Sequence, residues 1–259
     1  MPEGDTVFRS ARAMNEVLAG AVLERCDIRV PAFATVDLSG ETIENVVAVG
    51  KHLLHRIGDF TIHSHLKMEG SWHLYKPGTA WRRPAFQARA VLATADWNNV
   101  GFSLGILEVL PRDREDEAVG YLGTDILSDN WDPELAVACL AADPDRPIGL
   151  ALLDQRIIAG LGNVYRNELC FLRGVLPTRP AGEVPDLPGL VALAHRVILA
   201  NRDRVERTTT GDLRPGKMAW VSRRENKPCL RCGTRIRRGS LGETPLMQRD
   251  TYFCPRCQT

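Results

Sequence analysis

The sequence predicts an α+β chain of more than one domain. An N-terminal antiparallel β-sandwich flanked by a long helix comes first, then a helical half, then a compact four-cysteine module. Three observations carry this reading. Apolar residues recur at helical spacing near the start, in Val7, Ala11, Met14 and Leu18. A series of short alternating or apolar runs follows, up to Leu110. Helical patterns take over beyond it, and the chain closes on two Cys-x-x-Cys pairs.

The first helix is predicted over 5–19, with Asp5 as its N-cap and Gly20 as its stop. Strands are predicted at 22–30, 42–49, 53–57, 60–65, 71–75, 88–95 and 101–109. Turn residues at 49–51, 58–59, 76–78 and 96–99 separate several of them, which suits an antiparallel sandwich. The charged stretch 112–117 reads as a linker. Helices follow at 133–142, 147–155, 163–171 and 187–205, then a Gly/Thr/Arg-rich loop at 208–226. The expected domains are 1–118, 119–222 and 223–259.

The 259 residues are 44% hydrophobic and 25% charged, ordinary for a soluble globular chain. No apolar run reaches the length of a membrane span. With Glu3 and Asp5 at the start and no apolar segment after them, no signal peptide is expected, so the compartment is read as intracellular and reducing. The net charge of +1 hides an asymmetry. Residues 201–259 hold 14 Lys and Arg against 6 Asp and Glu, a net +8 that leaves −7 on the first 200 residues. A basic tail on an acidic body points to a polyanionic partner, or to a merely solvated basic surface.

Cys229-x2-Cys232 and Cys254-x2-Cys257 each place two thiolates on a turn, as a closed, structural, tetrahedral zinc site requires. Two disulfides are the alternative, and a reducing compartment disfavours them. Cys26, Cys139 and Cys170 are isolated and read as buried apolar residues. Arg235, Arg237, Arg238 and Arg249 lie between the pairs, a set suited to an anion.

In the stretch 153–168 one helix ends near Gln155, Gly160 and Gly162 make a tight segment, and a second helix starts at Asn163. That corner either binds a phosphate through Gly162 and Asn163 or only packs. Lys51, in a turn before an apolar strand, is poised over a cleft or is a plain surface lysine. Met68, between Lys67 and Glu69 and ahead of Gly70, is an exposed apolar wedge or ordinary core. His63, His65 and His73 read as packing residues on strands, without a metal-ligand pattern. Pro2 becomes a terminal secondary amine if Met1 is removed, with a pKa near about 7.7–8.0 that leaves part of it neutral and nucleophilic. Glu3 beside it is placed to move protons. Read alone, Met1-Pro2 is a common start with its terminus in solvent.

In this order, Pro2-Glu3-Gly4, Gly50-Lys51, Ser64 to Gly70, Gln155 to Glu168 and the module ending Cys254-Pro255-Arg256-Cys257-Gln258 resemble the formamidopyrimidine-DNA glycosylase / endonuclease VIII family of base-excision repair enzymes. The resemblance runs over essentially the whole chain. It implies a helix–two-turn–helix domain between the sandwich and a zinc finger holding one structural Zn2+ on Cys229, Cys232, Cys254 and Cys257. It implies Pro2 as the Schiff-base nucleophile, Glu3 as proton carrier, Lys51 as a phosphate contact that assists β-elimination, and Arg249 as a phosphate contact that assists δ-elimination. Lys67, Met68, Gly162 and Asn163 would bind DNA, with Met68 intercalating.

Residues 96–102 lack the Arg and Phe of the oxidised-purine branch, and 218–224 favours the endonuclease VIII-like branch. Lys67-Met68-Glu69 replaces that branch's usual wedge, and Tyr121 stands near the place of an expected arginine. The implied activity is bifunctional DNA glycosylase / AP lyase on oxidised bases, pyrimidines by the branch. The alternatives are a non-catalytic zinc-dependent DNA-binding protein, or an AP lyase restricted to single-stranded or bubble DNA. The partner is damaged DNA and not a membrane. The expected setting is the bacterial cytoplasm, at the nucleoid, as a monomer.

Overall fold

The computed structural model describes residues 2–259, so the expected removal of Met1 concerns a residue outside them. The chain divides into two compact units, one running through Tyr121 and the other spanning Leu122–Thr259.

In the first unit, helix α1 (Gly4–Leu18) begins one residue before the expected cap. Glu3 holds the N-cap position in extended backbone, and its carbonyl accepts from the N–H groups of Thr6 and Val7 at 3.0 and 3.1 Å. Asp5 therefore lies inside the first turn, where a carboxylate suits the positive end of the helix dipole. Val7, Ala11, Met14 and Leu18 form the buried stripe, as their spacing predicts.

Eight strands follow: β1 (Arg25–Ile28), β2 (Ile43–Val49), β3 (His52–Ile57), β4 (Phe60–His65), β5 (Ser71–Tyr75), β6 (Ala88–Ala93), β7 (Asn98–Phe102) and β8 (Ile106–Pro111). They make two four-stranded antiparallel sheets, ordered β1-β6-β7-β5 and β2-β3-β4-β8. Leu53, Ile57, Ile62, Ala90, Leu92, Leu107 and Trp72 from both sheets share one core with the α1 stripe. Burying that apolar surface is what fixes the register of each strand.

Three expectations need correction. The run 101–109 is not one strand but the end of β7 and the start of β8, which belong to different sheets. Ser103 takes a φ of 46° and donates its N–H to the Gln87 carbonyl, while the Gly105 N–H goes to that of His65, so the chain leaves one sheet and joins the other. Asn98 and Asn99, expected in a turn, open β7. Asn99 is buried, and its Nδ2 lies 3.0 Å from Nε2 of His55 on the facing sheet. The stretch 112–117 is not a loose linker either. Glu115 accepts from Arg56 at 2.8 and 2.9 Å and from the Thr61 hydroxyl, and Arg112 pairs with Glu44 at 2.8 Å.

The buried histidines make the first unit sensitive to acid. Burial pushes His55 down to about 3, and burial with neighbouring imidazoles and lysines does the same to His52. Unfolded histidines titrate near about 6.5, so between that pH and 3 the unfolded chain binds protons that the folded one refuses. Stability is therefore full above pH 6.5 and falls on acidification, by up to about 1.4 kcal/mol per pH unit for each such group. Melting curves should show a falling midpoint from about pH 6 down to 4.5, before carboxylates titrate. A midpoint flat over that window contradicts the burial of these rings.

Helix α2 (Asp116–Val119) still belongs to the first unit, and β9 (Thr124–Asp125) begins the second. Helix α3 (Pro133–Ala141) starts at Asp132, whose Oδ1 accepts from the Leu135 N–H at 2.9 Å. Helix α4 (Ile148–Ala151) is shorter than the expected 147–155, because the Asp154 carboxylate takes the N–H of Arg156 and turns the chain. Strand β10 (Ile158–Ala159) pairs in parallel with β9. Helix α5 (Asn163–Arg173) stops at Gly174, and α6 (Leu187–Leu199) starts at the Asp186 cap. Helix α6 ends before the expected 205: the Asn201 side chain bonds Val197 and Thr208 and folds the chain back. Strands β11 (Arg237–Leu241) and β12 (Arg249–Phe253) form the terminal antiparallel hairpin. Among the described residues no helix is long and apolar enough to cross a membrane.

Candidate functional site

In the first unit the geometry of α1 and β2 decides where Pro2 and Glu3 lie. The Gly20 N–H bonds the Ile43 carbonyl at 2.7 Å, and the Asn15 Oδ1 accepts from the Val46 N–H at 2.8 Å. Helix and strand therefore run antiparallel. From Asn15 to Glu3 the helix rises about 18 Å, and from Val46 to Val49, where the turn begins, the strand climbs about 10 Å in the same direction. The start of α1 and the β2–β3 turn thus arrive at the same end of the unit. Pro2 is half-buried there, and Glu3 is fully buried.

Lys51 stands in a two-residue hairpin turn, between the paired Val49 and His52. Gly50 has a φ of 58° while Lys51 stays on the negative side, the glycine-first turn that matches strand twist. A side chain at position 50 would be strained, so the glycine is what allows Lys51 this place. Lys51 and Lys67 act on the same two imidazoles: their charges help push His52 down to about 3 and His65 down to about 4, after burial, the larger cause.

The 66–70 turn is built by a Lys67 φ of 53°, the Lys67 N–H on Nδ1 of His65 at 2.9 Å, and the Gly70 N–H on the Leu66 carbonyl. Met68 at its tip is 60% exposed, so the core alternative for it is removed. Glu69 is exposed beside it, and its carbonyl accepts from Arg83 at 2.9 Å.

In the second unit Gln155 staples the turn before α5. Its Nε2 donates to the carbonyls of Leu153 and Leu161, and its Oε1 accepts from the Gly160 N–H. Gly160 has a φ of 105°, which only glycine adopts readily. Gly162 is the extended N-cap of α5. Asn163 Nδ2 donates to the Asp250 carbonyl at 2.9 Å, and Arg166 Nη2 donates to the same carbonyl and to the Thr251 hydroxyl. These bonds hold β12 against α5, so Asn163 and Arg249 share one corner. Arg249 itself is exposed.

Four ligand-bearing side chains converge in the hairpin module. The sulfurs of Cys229, Cys232, Cys254 and Cys257 lie within 4.8 Å of one another, with Cys229–Cys257 at 4.0 Å and Cys232–Cys254 at 3.5 Å. A disulfide needs about 2.05 Å, so these thiols are free. A tetrahedral ion with about 2.3 Å bonds to sulfur needs sulfurs about 3.8 Å apart, which this set matches. The Arg231 N–H on the Cys229 sulfur and the Gln258 amide on the Cys254 N–H and the Val175 carbonyl fix both turns. The cluster is therefore one that can hold a metal ion.

Sequence reasoning assigned no role to Glu168 or to the His52–Tyr121 pair. The Glu168 carboxylate is fully buried and accepts from the N–H groups of Trp220, Val221 and Ser222 at 2.7 to 2.9 Å and from the Thr209 hydroxyl. It ties α5 to the segment that leads into the cysteine module. Replacing Glu168 by Ala orphans those donors and should cost about 3–5 kcal/mol in denaturant unfolding. A loss under about 1 kcal/mol would show that the carboxylate is not the tie.

Sequence models of two domains match the chain. The formamidopyrimidine-DNA glycosylase N-terminal domain matches residues 1–103, and the formamidopyrimidine-DNA glycosylase H2TH domain matches 122–201. The chain is 52% identical over 259 residues to the DNA-(apurinic or apyrimidinic site) lyase Nei2 of Mycolicibacterium smegmatis, covering all of this chain and 99% of that one. It is 48% identical over 262 residues to endonuclease 8 2 of Mycobacterium tuberculosis, covering all of both. Its fold superposes with a TM-score of 0.83 on the Lactococcus lactis Fpg solved in complex with DNA containing an abasic site, at 22% identity and over all of both chains. The α+β architecture with its terminal cysteine cluster is thus that of a known fold. The chain belongs to the formamidopyrimidine-DNA glycosylase / endonuclease VIII family, on its endonuclease VIII-like branch.

Proposed function

We propose that the protein is a bifunctional DNA glycosylase / AP lyase of base-excision repair, removing oxidised bases, pyrimidines foremost. The observation that carries this is the placement of Pro2 and Glu3 at the end of the first unit where Lys51 stands, in a chain 52% identical to a named AP lyase. With Met1 removed, the Pro2 nitrogen attacks C1′ of the deoxyribose. The base leaves with the electron pair of the glycosidic bond and takes up a proton, for which Glu3 is the carrier. The nitrogen then gives up its proton, and its lone pair breaks the C1′–O4′ bond, O4′ taking up a proton; the open-chain iminium that results has no N–H to lose and acidifies C2′. Loss of a C2′ proton expels the 3′ phosphate by β-elimination, and δ-elimination then expels the 5′ phosphate.

Lys51 and Lys67 of the first unit contact phosphates, as do Asn163, the α5 start at Gly162 and Arg249 of the second, and Met68 fills the gap left by the extruded base. Those contacts offset the few kcal/mol, on the order of a stacking step, that flipping costs. Cys229, Cys232, Cys254 and Cys257 hold one structural Zn2+, which lends no chemistry to the reaction and fixes the hairpin that carries Arg249. The working segments are 1–118, 119–222 and 223–259. The protein acts as a monomer in the bacterial cytoplasm, on DNA of the nucleoid.

The test is the chemistry of the cut ends. Incubation with lesion-bearing oligonucleotides should release the base and leave a 3′ unsaturated aldehyde or 3′ phosphate. A 3′ hydroxyl would mean hydrolysis and sink the lyase reading; binding with neither base release nor cutting would leave a DNA-binding protein. A second reading, lyase action confined to single-stranded or bubble DNA, is favoured by residues 98–102. They form the sandwich strand β7, with Asn99, Val100, Gly101 and Phe102 buried, so they supply no second wedge. Faster cutting of bubble than of duplex DNA supports it.

A further inference from the structure

The residue after Lys51 is His52, whose ring is 5% exposed and held on several sides. Its Nδ1 lies 2.7 Å from Nε2 of His63, and its Nε2 lies 3.1 Å from the Tyr121 hydroxyl. The ring stacks on His63 and meets His65 edge-on, both with centroids 5.0 Å apart. Nδ1 of His63 faces a Glu108 carboxylate oxygen at 3.6 Å, beyond a hydrogen bond but within reach of its charge. His52, His63 and His65 are all held below the ordinary histidine range, burial being the main cause for each, so they are neutral at neutral pH.

A neutral imidazole has one N–H and one acceptor nitrogen, and a carboxylate only accepts. Facing Glu108, His63 keeps its proton on Nδ1, so its Nε2 accepts. His52 must then donate from Nδ1, which leaves its Nε2 to accept from the Tyr121 hydroxyl. The hydrogen bonds from Tyr121 through His52 to His63 have a single direction, which the Glu108 charge beyond them favours.

We propose that Tyr121 and His52 are positioning residues for Lys51: their hydrogen bond, backed by His63, locks the first residue of β3 and so aims the lysine that precedes it. The proposal rests on the glycosylase/lyase reading, in which Lys51 assists elimination. Lys51 is the second residue of a two-residue turn, so its backbone is carried by the paired Val49 and His52 that flank the turn. Val49 has the sheet ladder; His52 has the ladder and this chain.

Tyr121→Phe removes the hydroxyl and keeps the ring, and three readouts separate the roles. Single-turnover cleavage of an abasic-site strand should slow by about fivefold, the equivalent of one neutral hydrogen bond. Borohydride trapping, which reports Pro2, should stay at the wild-type value, and the melting temperature should fall by no more than a few degrees. His52→Ala should slow cleavage further, and His52→Gln, which restores an acceptor for Tyr121, should recover part of it. Wild-type cleavage by Tyr121→Phe overturns the positioning role, and so does trapping that falls in step with cleavage. A wild-type protein that neither traps nor cleaves overturns the lyase reading itself. Independently of activity, nitrogen-15 NMR at neutral pH should find the His52 proton on Nδ1; a proton on Nε2 breaks the chain.

Discussion

Cys254→Ser should empty the proposed zinc site and unfold the terminal hairpin. Bound zinc should fall from one per chain to near none, and DNA binding should weaken at every sequence. The reason lies in how the module is built. Its buried apolar cluster is small, Phe171, Val221, Ile236 and the cysteines Cys229 and Cys254 themselves, so the proposed zinc would take the place of a core. Zinc held by four thiolates contributes about 10–16 kcal/mol in peptide settings, as much as a whole domain's stability. Cys254 follows directly on β12, the strand that carries Arg249 and receives the bonds from Asn163 and Arg166. Losing the knuckle therefore frees Arg249 as well. Unchanged zinc content, by elemental analysis of the purified variant, would defeat the four-cysteine assignment.

An uncleaved extension ahead of Pro2 should leave DNA binding near wild type and abolish base release and strand cutting. An amide nitrogen has no lone pair to offer a sugar carbon, so the covalent route closes outright, with the rate falling by at least about 10³-fold. Binding survives because the phosphate contacts assigned to Lys51, Asn163 and Arg249 do not use the terminus. Changing Glu3 to Gln should spare the imine formed on an abasic strand and slow base departure from a base-bearing one, since the amide cannot carry the proton. Cleavage by the extended protein at the wild-type rate would remove Pro2 from the mechanism.

Much of this was legible in the residues. The α1 stripe, six of the expected strands and the four-cysteine cluster follow from spacing alone, because periodicity reports burial and Cys-x-x-Cys reports a ligand turn. Strand β7 was hidden by Asn98 and Asn99, which are turn-formers by preference. Asn99 is tolerated inside only because His55 on the other sheet supplies its partner, a fact of three dimensions. The same holds for His52. Its neighbour Lys51 stood out by its turn, but the cross-strand register that sets His52 against His63 and His65 is visible only once β3 and β4 pair. Glu168 looked like one residue of a helix, and its four partners come from a segment more than forty positions away. The 112–117 stretch misled for the converse reason: charge usually means solvent, and here Glu115 is drawn in by Arg56 and Thr61.

The covalent role of Pro2 is the claim on which the rest depends, and borohydride reduction tests it most directly. Wild-type protein, with Met1 removed, should form an irreversible complex with an oligonucleotide carrying an abasic site or an oxidised pyrimidine, offered as duplex, bubble and single strand. Peptide mapping should place the cross-link on Pro2. No trapped complex on any of these strands, or a cross-link on a lysine instead, would contradict it.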